Sequence, residues 1–169
     1  MMRPIVRFGI LSAVALILQA SAKPPVPIAV FDVLLINTSL AATTAEERDR
    51  ARRLGDQLRD ALSRSGRYRV VDTTAVQATL DQGPDPLHCN GCELPLARQA
   101  GARQAAVMWV QKVSNLILNI NLAIEDARTG ARVRSGSVDI RGNTDESWTR
   151  GLSFLLDDQI LVDPKGGRD

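Results

Sequence analysis

The sequence predicts one α/β (α+β) domain: a mixed sheet of about five strands, elements in the order β-α-β-α-α-β-β-β-α, and an antiparallel meander toward the C-terminal end. Three observations lead there. An apolar run of strand length, Ile28 to Ile36, precedes a segment whose apolar residues recur at helical spacing. A second short strand, Tyr68 to Val71, is again followed by a helical segment. From Ala105 to Arg141 three strand-like runs follow one another, two of them with clear period-two alternation.

The run Ile28–Ile36 is nearly continuous in apolar residues, so both of its faces are expected to be covered. A small polar loop, Asn37 to Thr44, follows, and Thr43 or Thr44 is placed to cap a helix. Glu46 and Glu47 in its first turn complement the helix dipole. Ala51, Leu54, Leu58, Ala61 and Leu62 form its apolar stripe, and Gly66 ends it. The helix between the first two strands makes them parallel neighbours. Asp72-Thr73-Thr74 caps a second helix through Leu80, which Gln82-Gly-Pro-Asp-Pro86 breaks. Glu93 to Ala100 reads as a short helix ended by Gly101, with Pro95 tolerated in its first turn.

In the meander, Leu116–Glu125 places Leu118, Ile120, Leu122 and Ile124 on one face and Asn119, Asn121 and Ala123 on the other. Asp126 to Gly130 is a turn. Ala131–Arg141 returns with Val138 and Ile140 on one face and Ser137, Asp139 and Arg141 opposite. Asn143 is expected to open the last helix, with Glu146 at capping-box spacing. Trp148, Leu152, Leu155 and Leu156 form its buried side.

The N-terminus has the three parts of an export signal. Arg3 and Arg7 give a positive start, an apolar run spans Phe8 to Ala20, and Ala20-Ser21-Ala22 has the small-x-small form of a cleavage site. The run is shorter than the roughly 20 apolar residues a membrane span needs. The expected organisation is a cleavable signal over 1–22, a Pro-rich leader over 23–27, one domain over 28–162 and a flexible tail over 163–169. No transmembrane helix is expected in the mature chain, and its expected place is the periplasm.

Removing Arg3 and Arg7 from the 21 basic residues leaves 19, against 19 acidic ones. A neutral mature chain argues against broad electrostatic capture of nucleic acid or anionic membrane. Aromatic residues are few, which disfavours stacking platforms for single strands. The arginines from Arg48 to Arg69 are interleaved with Glu46, Glu47, Asp49, Asp56 and Asp60, the mixture of a solvated helix face.

Cys89 and Cys92, the only cysteines, sit in His88-Cys-Asn-Gly-Cys-Glu93. In an oxidising compartment they are expected to pair as a structural disulfide. So small a loop contributes only about 2 kcal/mol by chain entropy. A redox pair is the second reading, since Cys92 just precedes a helix, although no thioredoxin-like βαβ unit leads into it. Metal binding by His88, Cys89 and Cys92 is the third, without a second cluster to complete four ligands. Covalent haem needs Cys-x-x-Cys-His, and Glu93 stands at the His position. His88 is the only histidine, its neighbour is expected to be disulfide-bonded, and there is no Gly-x-Ser-x-Gly elbow, so no hydrolase set assembles. No cofactor is expected.

Asn119, Asn121, Ser137, Asp139 and Arg141 share one face of the last hairpin, near Gln111 and Lys112. A wet face of an antiparallel sheet accounts for them, as does a partner or ligand surface; asparagine is depleted in strands, and two at alternate positions are unusual. They lack the paired carboxylates or nucleophile–base sets of catalysis.

The opening IAVFDVLLINTSL, then LGDQLRDALSRSGRYRVVD, the CxxC, and above all WVQKVSNLILNINLAIEDARTG with RSGSVDIRGNTDESWTRGL resemble a family of secreted proteobacterial proteins of unknown function. The resemblance spans essentially the whole mature chain. The fold it implies is similar to the amino-terminal domain of the Tol-Pal translocation protein B and to the curli-secretion lipoprotein group. Those are non-enzymatic binding modules of the envelope, so the resemblance implies a non-catalytic accessory domain contacting a periplasmic or envelope protein. Some relatives sit in gene clusters for periplasmic quinoprotein alcohol oxidation, which keeps a redox or metal-handling accessory as the alternative. The resemblance supplies no catalytic residues to carry over.

Overall fold

The fold is a six-stranded mixed sheet between helical layers, taken from a computed structural model that describes residues 23–162. The signal expected over 1–22 and the tail expected over 163–169 lie outside those residues. The strands are β1 (Val26–Val30), β2 (Leu34–Asn37), β3 (Tyr68–Val71), β4 (Gln104–Lys112), β5 (Ile117–Asp126) and β6 (Arg132–Arg141). The helices are α1 (Ala45–Arg64), α2 (Thr74–Asp81), α3 (Glu93–Gln99) and α4 (Asp145–Leu155), the last running into a wider π-type turn at Leu156–Ile160. The sheet order is β3-β1-β4-β5-β6, with β2 also on β4. β1 is parallel to β3 and β4, and β4, β5 and β6 form the expected antiparallel meander.

The single strand expected over Ile28–Ile36 is two strands. Val30 lies opposite Ala106 and Leu34 opposite Trp109, so Phe31, Asp32 and Val33 face only two residues of β4. This one-residue bulge flips the alternation. Ile28 and Val30 point to one core before it, and Val33 and Leu35 point to that same core after it. Unbroken alternation would drive Asp32 into the core beside them. The bulge leaves Asp32 exposed, where its carboxylate meets Arg59 Nη2 at 2.7 Å. The ladder also begins earlier than the Pro-rich leader suggests. Val26 N–H donates to the Arg67 carbonyl at 2.8 Å, and the Pro27 carbonyl accepts from Arg103 N–H at 2.9 Å.

The two sheet faces are covered unequally. On one, Ile28, Val30, Ala106, Met108, Leu118, Ile120, Leu122 and Ile124 pack under α1 and α4. α4 approaches so closely at Gly151 that a Cβ there would lie 2.4 Å from Ile140 Cγ2. On the other face, α2 and α3 cover Ala29, Phe31, Ala105 and Val107, over β1 and the first half of β4.

Thr44 caps α1 with a reciprocal capping box: Glu47 N–H donates to Thr44 Oγ1 at 3.2 Å, and Thr44 N–H donates to Glu47 Oε2 at 3.0 Å. The cap of α4 differs from the sequence expectation. Thr144, not Asn143, accepts from Ser147 N–H at 3.2 Å, and Glu146 pairs with Arg150 at 3.1 Å instead of closing a box. Asn143 is drawn inward, where its Oδ1 accepts from Trp148 Nε1 at 3.0 Å.

Candidate binding face and groove

β5 and β6 extend beyond the reach of α2 and α3, and their outer face is open. Register places Leu34, Trp109, Asn121 and Ser137 in one row across four strands. Ile36, Gln111, Asn119 and Asp139 form the next, and Arg141 lies opposite Ile117 beyond it. All five residues expected on this face are therefore together. Asn119 Nδ2 donates to Ser137 Oγ at 3.0 Å and to Asp139 Oδ1 at 2.8 Å. Asn121 Nδ2 donates to Asn119 Oδ1. The amides thus form a ladder across the hairpin, with Ser137, Asp139 and Arg141 exposed at its outer side.

The outer edge of β6 is partly occupied. Gln159, held by the π-type turn, accepts from Ser137 N–H at 3.0 Å and donates Nε2 to the Ser137 carbonyl at 3.1 Å. Its side-chain amide thereby completes the ladder position that a further strand would use. Gly136 makes room for it: a Cβ there would lie 2.6 Å from both Gln159 Oε1 and Leu155 Cδ1.

Where α3 meets the open face, a groove of about 550 Å³ forms. Its floor is Ala105, Val107, Trp109 and Ala123 of β4 and β5. One wall is the cysteine loop with Leu87, His88, Asn90 and Leu94; Glu125 and Arg132 stand on the other side. Cys89 and Cys92 are joined in a disulfide, with Cα atoms 5.6 Å apart. Within the turn they close, Asn90 and Gly91 take left-handed backbone angles, φ 56° and 98°. Asn90 tolerates this as one of the few side chains that can, and Gly91 has no Cβ to strain.

The metal set His88, Cys89 and Cys92 is not assembled. His88 Nδ1 pairs with Asp85 Oδ2 at 2.9 Å, and Glu93 is the residue whose carboxylate joins the two sulfurs, within 4.8 Å. Both sulfurs are committed to each other, so neither is a thiolate ligand. Among the described residues no free cysteine faces His88.

Glu93 is 5% exposed and lines the groove. Its Oε2 lies 3.8 Å from Cys89 Sγ, a disulfide sulfur with no proton to give. Burial raises its carboxyl pKa, opposed by its own backbone N–H; repulsion from Glu125 adds to the rise, and Arg132 opposes it. Arg132 is itself paired with Glu125, Nη2 to Oε1 at 2.7 Å.

Comparison with family models matches residues 26–160 to DUF3280, described as "Protein of unknown function (DUF2380)". The chain belongs to this family. The expectation of a family of unknown function is thus met. No curated protein matches the sequence. Among solved structures, the LpoB C-terminal domain from Salmonella enterica is similar at 18% identity, TM-score 0.52, over 72% of this chain and 87% of that one. Lipoprotein GNA1162 from Neisseria meningitidis is similar at 19% identity, TM-score 0.52, over 72% and 84%. These likenesses are of fold. Among the described residues, no helix is long and apolar enough to cross a membrane.

Sequence reasoning located the amide face and the cysteine pair but missed the groove. Trp109 was readable only as one more apolar residue of a strand, and nothing local shows that α3 stops short of it. The opposition of Glu125 and Arg132 depends on a register shift in the hairpin at Ile124 and Glu125, which alternation alone does not disclose.

Proposed function

We propose that the protein is a non-catalytic accessory domain of the periplasm that binds a protein partner through the face of Asn119, Asn121, Ser137, Asp139 and Arg141. The observation carrying this reading is the unequal roofing of the sheet: one face is closed by α1 and α4, while half of the other stays bare. Amides and hydroxyls aligned on a rigid sheet suit recognition of another protein's polar surface. No nucleophile–base pair accompanies them. The periplasmic placement rests on the export-signal pattern of residues 1–22 and is in keeping with the same fold in a protein named as a lipoprotein. The resemblance to envelope binding modules supports the same role.

The test is differential capture from an envelope extract by wild type and by Asp139→Arg, which places a bulky cation on the exposed side of the ladder. A partner retained by wild type and lost on the variant supports the reading. Equal capture by both refutes it.

A further inference from the structure

The groove carries an excess of acidic over basic side chains. A carboxylate buried without a partner is costly, and structures place a cation or donor beside it. Glu93 has only its own backbone N–H as a donor and a longer-range pull from Arg132: among the described residues no arginine or lysine nitrogen is paired with it, and the Cys89 sulfur 3.8 Å away is part of a disulfide. Among the described residues Arg132 is the one arginine or lysine that lines the groove, and it is held by Glu125. The cavity therefore carries two carboxylates against one guanidinium. Its floor adds the half-buried ring of Trp109, the aromatic best suited to hold a planar cation.

We propose that this groove receives an arginine side chain of the partner protein, with Glu93 as its counter-charge and Trp109 as its stacking surface. A guanidinium satisfies several acceptors at once and is more weakly hydrated than an ammonium, so arginine suits a partly buried acidic slot better than lysine. The groove shares Trp109 with the row of Asn121 and Ser137, so an arginine projecting from a protein on that face is within the same footprint. The source of the arginine rests on the partner reading above; the chemistry of the groove does not.

The experiment is calorimetric titration of the full chain with N-acetyl-arginine amide, its lysine analogue and its uncharged citrulline analogue. The arginine amide binds, the lysine analogue binds several-fold more weakly, and citrulline binds at least tenfold more weakly. Glu93→Gln lowers arginine affinity at least tenfold while thermal unfolding shows the variant folded, and Glu93→Asp restores part of it. If Glu93→Gln does not fold, Glu125→Gln serves: freeing Arg132 into the groove also weakens binding. Equal binding of citrulline, indifference to these substitutions, or no binding of the arginine amide at millimolar concentration overturns the proposal. Arginine binding with unchanged partner capture by Asp139→Arg would leave the groove standing and remove only the face.

Discussion

Lys112 Nζ lies 2.5 Å from Glu47 Oε1, and each side chain is 2% exposed. The pair ties the end of β4 to the first turn of α1. Asn143 Nδ2 donates to the same Oε1 at 2.5 Å, which brings in the start of α4. Burial raises the Glu47 carboxyl pKa, but hydrogen bonds from Lys112, the Thr44 backbone and Asn143 outweigh it and hold it below the ordinary value.

Breaking this pair from one side leaves the other charge buried. Lys112→Met is expected to lower unfolding free energy by about 3–5 kcal/mol, whereas Lys112→Met with Glu47→Leu recovers only part of the loss, because it also removes the acceptor for Thr44 N–H and Asn143 Nδ2. Urea unfolding checks both. The Glu47 carboxyl is depressed in the folded state, so its contribution is present above the unfolded value near 4.3 and is lost as pH falls through the folded value. The stability difference between wild type and Glu47→Gln therefore narrows on acidification.

Glu93 has the opposite sign. Its folded pKa is raised, so the native state binds the proton more tightly, and ionisation destabilises the fold as pH rises from the unfolded value through the folded one. Glu93→Gln is expected to be more stable than wild type at neutral pH, with the difference vanishing in acid. Thermal melts across that range decide it.

Gly151→Ala tests the contact between α4 and the sheet. In an exposed helix this change gains roughly 1 kcal/mol. Here the new Cβ would meet Ile140 Cγ2 at 2.4 Å, so a loss of about 1–3 kcal/mol is expected.

Gln159→Ala uncovers the edge of β6 at Ser137. The expected outcome is a stability loss of about 1 kcal/mol and concentration-dependent self-association in sedimentation velocity; Gln159→Glu keeps the acceptor for Ser137 N–H but loses the donor to its carbonyl, so it shares the stability loss, while its charge at the edge suppresses the self-association.

The disulfide is expected to be structural. Cys89→Ser with Cys92→Ser should cost no more than about 2 kcal/mol, because the loop closed is so short. A reduction potential well above about −300 mV would contradict this and favour a working redox pair.

Much of this architecture was legible in the sequence, because period and caps are local properties. Thr44, the stripe of α1 and the alternation of Leu118 to Ile124 behave as read. What escaped depends on distant partners. Asp32 was readable as one polar residue in an apolar strand, but only pairing with β4 turns it into a bulge. Asn143 looked like a cap until Glu47 and Trp148, on either side of it in the chain, came within reach. For the same reason Lys112 was readable as a strand residue near the amide face, not as half of a buried pair.

The central claim is that a protein partner occupies the open sheet face. A photo-crosslinking amino acid at Ser137, compared with one at Arg52 on the solvent side of α1, tests it most directly in cells that export the protein. An adduct of defined mass formed from Ser137 and not from Arg52 is the expected result. Adducts from Arg52 alone, equal labelling from both, or none from Ser137 would contradict it.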